Sequence, residues 1–350
     1  MCNKLTCCEC ALNLLIEKIC YIVSMAAELL NAPILIIGFQ RVSSLETLIN
    51  LCLKETTAKI FISMDGPPTN KIGLVDEPRR LVKDFQAAYP DRISLRLLAD
   101  NVGSAVNVIT ALDWFFSINI KGVILEDDCI PHKDFFKYSL SALDFIENND
   151  SIWFFSGFRP LLKEIEEIQY SLCTLPLNWG WGTTREKWIE IRRLVTEQKI
   201  ENILFSFSFG PSRVYWNIGY RRIINGWVDA WDTAIAFLMI RENKFALLPN
   251  CNLVSNIGND KFALNTKKES VFLNSETVSW DGMKISVNPK DYPVVNKSIY
   301  KKMIRIKRVH LILPIIKYAI QKIFRFHNNY GFLSIRLKPF NSKGLASYDN

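Results

Sequence analysis

Gly122-Val123-Ile124-Leu125 runs straight into Glu126-Asp127-Asp128, and few chain arrangements accommodate that junction. Four apolar residues fit a short strand buried on both faces, as in a parallel sheet with helices above and below. Three consecutive carboxylates at its end repel one another unless a cation or a set of donors compensates them. In open α/β sheets, ligands bind at the carboxyl ends of the strands. A hard divalent ion takes oxygen ligands there, bridging one or two carboxylates to substrate phosphates. The triplet therefore reads either as a metal–diphosphate site or as a solvated acidic turn opening the next helix, where Asp and Glu are favoured.

The flanking chain supplies the sheet that such a strand needs. Pro33 to Phe39 reads as a buried strand, with Ser43-Ser44 capping a helix through about Leu53. Lys59 to Met64 is a second strand that ends in the turn chemistry of Asp65-Gly66-Pro67-Pro68. Asp76, with Pro78 after it, opens a helix that stops before Pro90. Ile93, Leu95 and Leu97 alternate as a third strand, and Ser104 caps a helix to about Ser117. Strands alternating with helices predict an α/β fold with a mainly parallel, doubly wound sheet. The loops at Arg41, Asp65, Asn101 and Glu126 then share one edge and can converge on one ligand. No Gly-x-Gly-x-x-Gly follows the first strand and no Gly-x-x-x-x-Gly-Lys occurs, which disfavours a dinucleotide-binding dehydrogenase and a P-loop ATPase.

Charge sharpens the exclusions. The 350-residue chain carries a net +8, but 12 basic residues and one acid, Asp349, stand from Lys297 onward. The remainder holds 31 of the 43 basic and 34 of the 35 acidic residues, so a nucleic-acid-binding surface over the main body is not expected. Four of nine cysteines (Cys2, Cys7, Cys8, Cys10) crowd the first ten residues, and only three histidines exist. No pair of Cys-x-x-Cys motifs faces another at zinc spacing, which points to a reducing compartment without structural zinc. Glu17 and Lys18 interrupt the apolar stretch Ala11 to Ala27, leaving too short a run to span a bilayer and a poor signal peptide. Residues 1–30 read as an extension, amphipathic and helical in character, and Met25 offers an alternative start.

The second half is less regular. Ile152 to Phe155 is a strand running into Ser156-Gly157. Asn178-Trp179-Gly180-Trp181-Gly182 is dense in indole and glycine, which suits either flat platforms for sugar faces or ordinary core packing. Gly226-Trp227-Val228-Asp229-Ala230-Trp231-Asp232 sets two carboxylates beside indoles, fitting a general base with a raised pKa or an N-cap for the helix Thr233–Ile240. Asn252 to Lys261 is polar, contains Gly258 and reads as a mobile loop.

In this order the motifs resemble a GT-A-fold glycosyltransferase, close to bacterial family 2-like sugar transferases and similar to the α-mannoside N-acetylglucosaminyltransferase family. The resemblance covers about residues 33–265. It rests on Ile36-Ile37-Gly38-Phe39-Gln40-Arg41, Ser63-Met64-Asp65, Glu126-Asp127-Asp128 with Phe135-Phe136-x-Tyr138, Trp153-x-x-Ser156, Gly180-Trp181 with Trp188, Trp231-Asp232, and Asn256-Ile257-Gly258. It implies a GT-A domain over 31–298, a nucleotide-sugar donor (a UDP-sugar above others) and Mn²⁺ or Mg²⁺ as cofactor. Arg41 and Asp65 would contact base and ribose, Asp127 the ribose, and Glu126 the donor sugar. Trp181 and Asn256 would complete the donor site, and Asp128 would ligate the metal. Asp232 would be the catalytic base, with Asp229 as the alternative, because the acid that the family places after the base position is Thr233 here. The Asn252–Lys261 loop would be a lid.

The reading that follows is an inverting transferase in surface polysaccharide biosynthesis, with a glycan or lipid-linked acceptor. A sugar-nucleotide nucleotidyltransferase and a non-catalytic carbohydrate-binding protein are the alternatives. The former wants a glycine-rich basic loop after the first strand, and Gly38-Phe39-Gln40-Arg41 is poor in both. In the segment 299–350, Tyr300 to Phe326 interleaves eight basic residues with Ile, Leu, Val and Phe and has no acid, and Pro314 divides it into two amphipathic helices. Such a tail either lies on an anionic membrane surface or packs on the catalytic domain. The expected place is cytoplasmic, peripheral on the inner face of the membrane.

Overall fold

A computed structural model describes residues 31–197, 231–258 and 272–304. The first half follows the sequence closely: β1 (Ile34–Gly38), α1 (Val42–Glu55), β2 (Ile60–Met64), α2 (Asp76–Ala88), β3 (Ile93–Leu97), α3 (Ser104–Ile118) and β4 (Lys121–Glu126). These four strands are all parallel, in the order β3-β2-β1-β4. The caps differ from expectation. Arg41, not a serine, is the N-cap of α1, and Gly103 is that of α3 with φ at 87°, a left-handed value that glycine adopts without a Cβ clash. Ser43, Ser44 and Ser104 lie inside the helices. The loop into α3 is instead held by Asp65, whose carboxylate accepts from the N–H groups of Val102 and Gly103.

Beyond β4 come β5 (Cys129–Pro131), α4 (Phe135–Glu147), β6 (Ile152–Ser156), β7 (Ser171–Cys173), β8 (Trp181–Thr184), α5 (Arg185–Glu197), α6 (Trp231–Arg241), β9 (Phe245–Leu248), β10 (Val254–Asn256) and α7 (Tyr292–Ile304). The main sheet has eight strands in the order β3-β2-β1-β4-β8-β6-β9-β7, and β10 pairs with β5 apart from it. β8 runs antiparallel to β4 and β6, and β7 antiparallel to β9, while β6 and β9 are parallel. The sheet is thus mostly parallel but mixed. The indole- and glycine-rich stretch lies in its middle: every residue of β8 is buried. A Cβ on Gly182 would run into the Phe155 ring of the next strand, so this glycine answers close strand packing, not the approach of a ligand.

Alternation along the strands divides the core. Ile34 and Ile36 of β1 face α1, α2 and α4, whose buried residues include Leu48, Val82 and Leu143. Leu35 and Ile37 face α3, α5 and α6, through Leu112, Trp188 and Ile235 among others. Both sheet faces are covered by helices, as a doubly wound fold requires. Across the second face, Asp113 and Arg192 form a buried ion pair at 2.9 Å that also accepts the Trp188 indole N–H. A third apolar cluster joins Phe158, Phe237 and Leu248 to Val295 and Ile299 of α7. α7 runs through residues 298 and 299, and Ile299 packs within this cluster.

Among the described residues no helix is long and apolar enough to cross a membrane, and the four cysteines there (Cys52, Cys129, Cys173, Cys251) are free thiols. The extension 1–30 and the basic segment after Ile304 lie outside the described residues.

Candidate active site

The strand order reverses between β1 and β4. From β1 the chain winds outward through β2 and β3, then returns to β4 on β1's other side. This is the position at which an open α/β sheet leaves a crevice beyond its carboxyl ends. β1 leads there to Arg41 and β4 to Glu126-Asp127-Asp128, with Ile37 opposite Glu126 in the ladder. The cation and the carboxylates are therefore brought together by strand pairing alone.

Arg41 Nη1 donates to Asp127 Oδ1 at 2.9 Å and lies 3.4 Å from Asp128 Oδ2. The Phe39 N–H donates to Asp127 Oδ2 at 2.9 Å, and the Asp127 N–H donates to the Ile37 carbonyl at 3.0 Å. Both oxygens of Asp127 thus tie the two loops to each other. Asp128 is held from the opposite side. Asn256 Nδ2 donates to its Oδ1 at 3.1 Å, the Ile257 N–H donates to its main-chain carbonyl at 2.9 Å, and the Gly258 N–H returns to Asn256 Oδ1 at 2.9 Å.

The stretch Asn252–Lys261, expected to be a mobile lid, is therefore fixed over its first part. Val254–Asn256 is a strand paired antiparallel with β5. The polar residues that gave it the look of a loop have internal partners instead of water. Asn252 accepts from the Arg159 N–H at 3.1 Å and donates to the Glu276 carbonyl at 2.8 Å. Residues 259–261 lie outside the described residues.

Glu126, partly buried, accepts from Asn178 Nδ2 at 3.2 Å. Burial pushes its carboxyl up to about 8, and the charges of Asp128, Asp232 and Asp127 add to that. The charge of Asp232, at the start of α6, is thus within electrostatic reach of Glu126. Asp127 rises to about 6, chiefly through burial and the Asp128 charge, against the opposing Arg41 guanidinium and Phe39 N–H. Asp232 is likewise raised by burial, opposed by the donors of Thr233. Its Oδ1 accepts the Thr233 N–H at 2.7 Å, a bond to the very next residue. The N-cap expectation does not hold, because α6 already begins at Trp231 and Asp232 lies within its first turn. Asp229, the alternative base, lies outside the described residues.

Two expected site residues are built into the frame. Asp65, at the end of β2, accepts from the N–H groups of Gly66 (2.8 Å), Val102 (2.9 Å) and Gly103 (3.2 Å) and from Asn101 Nδ2 (3.0 Å). It pins the β3–α3 loop. Trp181 is 2% exposed, with its ring stacked on Trp231 at 5.6 Å and edge-on to Phe154 at 5.0 Å. Core packing, not an open platform, describes the ring, and its buried indole N–H has no hydrogen-bond partner among the described residues. Asn178 was not among the expected site residues. It heads the indole-rich stretch, but its partner Glu126 is 52 positions away and no local pattern announces the link.

Among the described residues no three His, Cys, Asp or Glu side chains form a metal-ligating group. The acidic loop offers carboxylate oxygen alone, with Asp128 partly exposed and Glu126 and Asp127 behind it. That donor set fits a hard cation that draws most of its ligands from phosphate and water.

The raised carboxylates carry a consequence for the unliganded fold. A group whose pKa is higher in the folded state contributes stability that is fully present below its unfolded value and lost as pH rises through the folded one. Glu126, Asp127 and Asp232 all shift in that direction. In EDTA, the melting temperature is expected to fall between pH 5 and pH 8.5, and Glu126→Gln should flatten the slope. A profile that rises over this range, or one that Glu126→Gln leaves unchanged, would contradict this. No protein-family model matches the chain, and no curated protein is found that is similar to it.

Proposed function

We propose that this chain is a metal-dependent glycosyltransferase of GT-A type. It moves a sugar from a nucleotide-sugar donor, with UDP-sugars favoured, to a glycan or lipid-linked acceptor in surface polysaccharide biosynthesis. The observation that supports the reading is the ion-paired group of Arg41, Asp127 and Asp128 at the reversal of strand order, with the charge of Asp232 within electrostatic reach of the adjoining Glu126. Asp128, the most exposed carboxylate of the Arg41-linked pair, would hold the cation, which when bound offsets the charge of the departing diphosphate as a Lewis acid. Arg41 balances the acidic loop and keeps its two aspartates in place. Asp232, partly buried and raised in pKa, is suited to take the proton of an acceptor hydroxyl. With this single carboxylate acting opposite the leaving group, one displacement inverts the anomeric centre, by the logic of inverting glycosidases.

The basic segment after Ile304 belongs to this reading as an attachment to an anionic membrane surface on the cytoplasmic side, where a lipid-linked acceptor would be met. The experiment is a screen of purified protein against nucleotide sugars with Mn²⁺, reading release of the nucleoside diphosphate. Hydrolysis or transfer with at least one donor, lost in EDTA, is expected. No turnover and no metal-dependent binding of any nucleotide sugar would remove the proposal.

A further inference from the structure

Resting on that reading, we infer that Asn178 selects the donor sugar, by fixing Glu126 and by offering its own amide oxygen to a sugar hydroxyl. The bond from Nδ2 to Glu126 Oε1 is the only hydrogen bond of the Asn178 side chain among the described residues. The amide orientation is therefore set by Glu126, leaving the Asn178 oxygen and the second Glu126 oxygen as neighbouring acceptors. Two neighbouring acceptors match hydroxyl groups, which donate as well as accept. A hexose offers several, and their configuration distinguishes one sugar from another. Sites built to hydrogen-bond a hydroxyl reject analogues that misplace it far better than apolar pockets do.

The test measures the Mn²⁺-dependent affinities of UDP, UDP-glucose, UDP-galactose and UDP-N-acetylglucosamine by calorimetry. Wild type is expected to rank the three sugars distinctly. In Asn178→Ala the spread should shrink about tenfold, the scale of one lost hydrogen bond, with UDP affinity held within about twofold. Asn178→Ser, polar but too short to span to Glu126, should behave alike and serves if the alanine variant folds poorly. An unchanged ranking in the variants would overturn the inference, as would a wild type that does not discriminate or a parallel loss of UDP binding. Failure of wild type to bind any of the four would instead overturn the proposed function, and this inference with it.

Discussion

Asp232→Asn is expected to lower kcat by about two to four orders of magnitude, the range of a lost general base. The substitution is informative because it is nearly isosteric. Asp232 Oδ1 accepts the Thr233 N–H at 2.7 Å, and an asparagine oxygen can keep that bond and with it the first turn of α6. What disappears is the carboxylate charge that would receive the acceptor's proton. Donor affinity should change little, since a base makes its contribution in the transition state. Steady-state kinetics with a soluble acceptor, paired with a melting curve, separates a chemical defect from a folding one. Full activity in the variant would remove Asp232 from the reaction and turn attention to Asp229. The anomeric coupling of the product by proton NMR is an independent check, because retention of the donor's configuration is incompatible with one displacement.

The second large effect is expected at Asp128. Asp128→Asn should reduce Mn²⁺-dependent UDP binding by at least about 100-fold, beyond the loss seen when residues behind a metal ligand are changed. Asn256 and the Ile257 N–H already hold Asp128 by its side chain and main chain. The position is therefore set before any ligand arrives, and the variant alters charge more than geometry. Arg41 would still have Asp127 as its partner at 2.9 Å, so the melting temperature should not collapse. Calorimetry with and without Mn²⁺ reads the effect directly. Equal metal-dependent binding in wild type and variant would exclude Asp128 as the ligand.

The two halves of the fold differ in how openly the sequence declares them. β1, β2 and β4 are near-continuous apolar runs because helices cover both faces, and each ends in turn chemistry. β7, β8 and β10 have no such signature: Ser171–Cys173, Trp181–Thr184 and Val254–Asn256 are three or four residues long. Their pairing depends on partners far away in the chain. The same physics governs the site. Arg41 and the acidic triplet lie at strand ends and could be read locally, whereas the contacts of Asn178 with Glu126 and of Asn256 with Asp128 exist only once the sheet is assembled. The indoles left two readings open because an aromatic ring suits a sugar face and a packed core equally well. Only the stacking of Trp181 on Trp231 decides between them.

The placement of β8 bears on how the chain reaches this state. β3, β2, β1 and β4 all come from residues 34–126 and join through successive parallel crossovers, so this half-sheet can close while the rest of the chain is still unmade. β8 alone connects it to β6, β9 and β7, because Trp181 pairs with Ile124 on one side and Ser156 on the other. Until Trp181 emerges during synthesis, the free edge of β4 is an unpaired apolar strand, the kind of edge that recruits other chains. The carboxylates that end β4 stand at that same edge. Their mutual repulsion discourages edge-to-edge association during the interval in which the nascent chain is exposed to it.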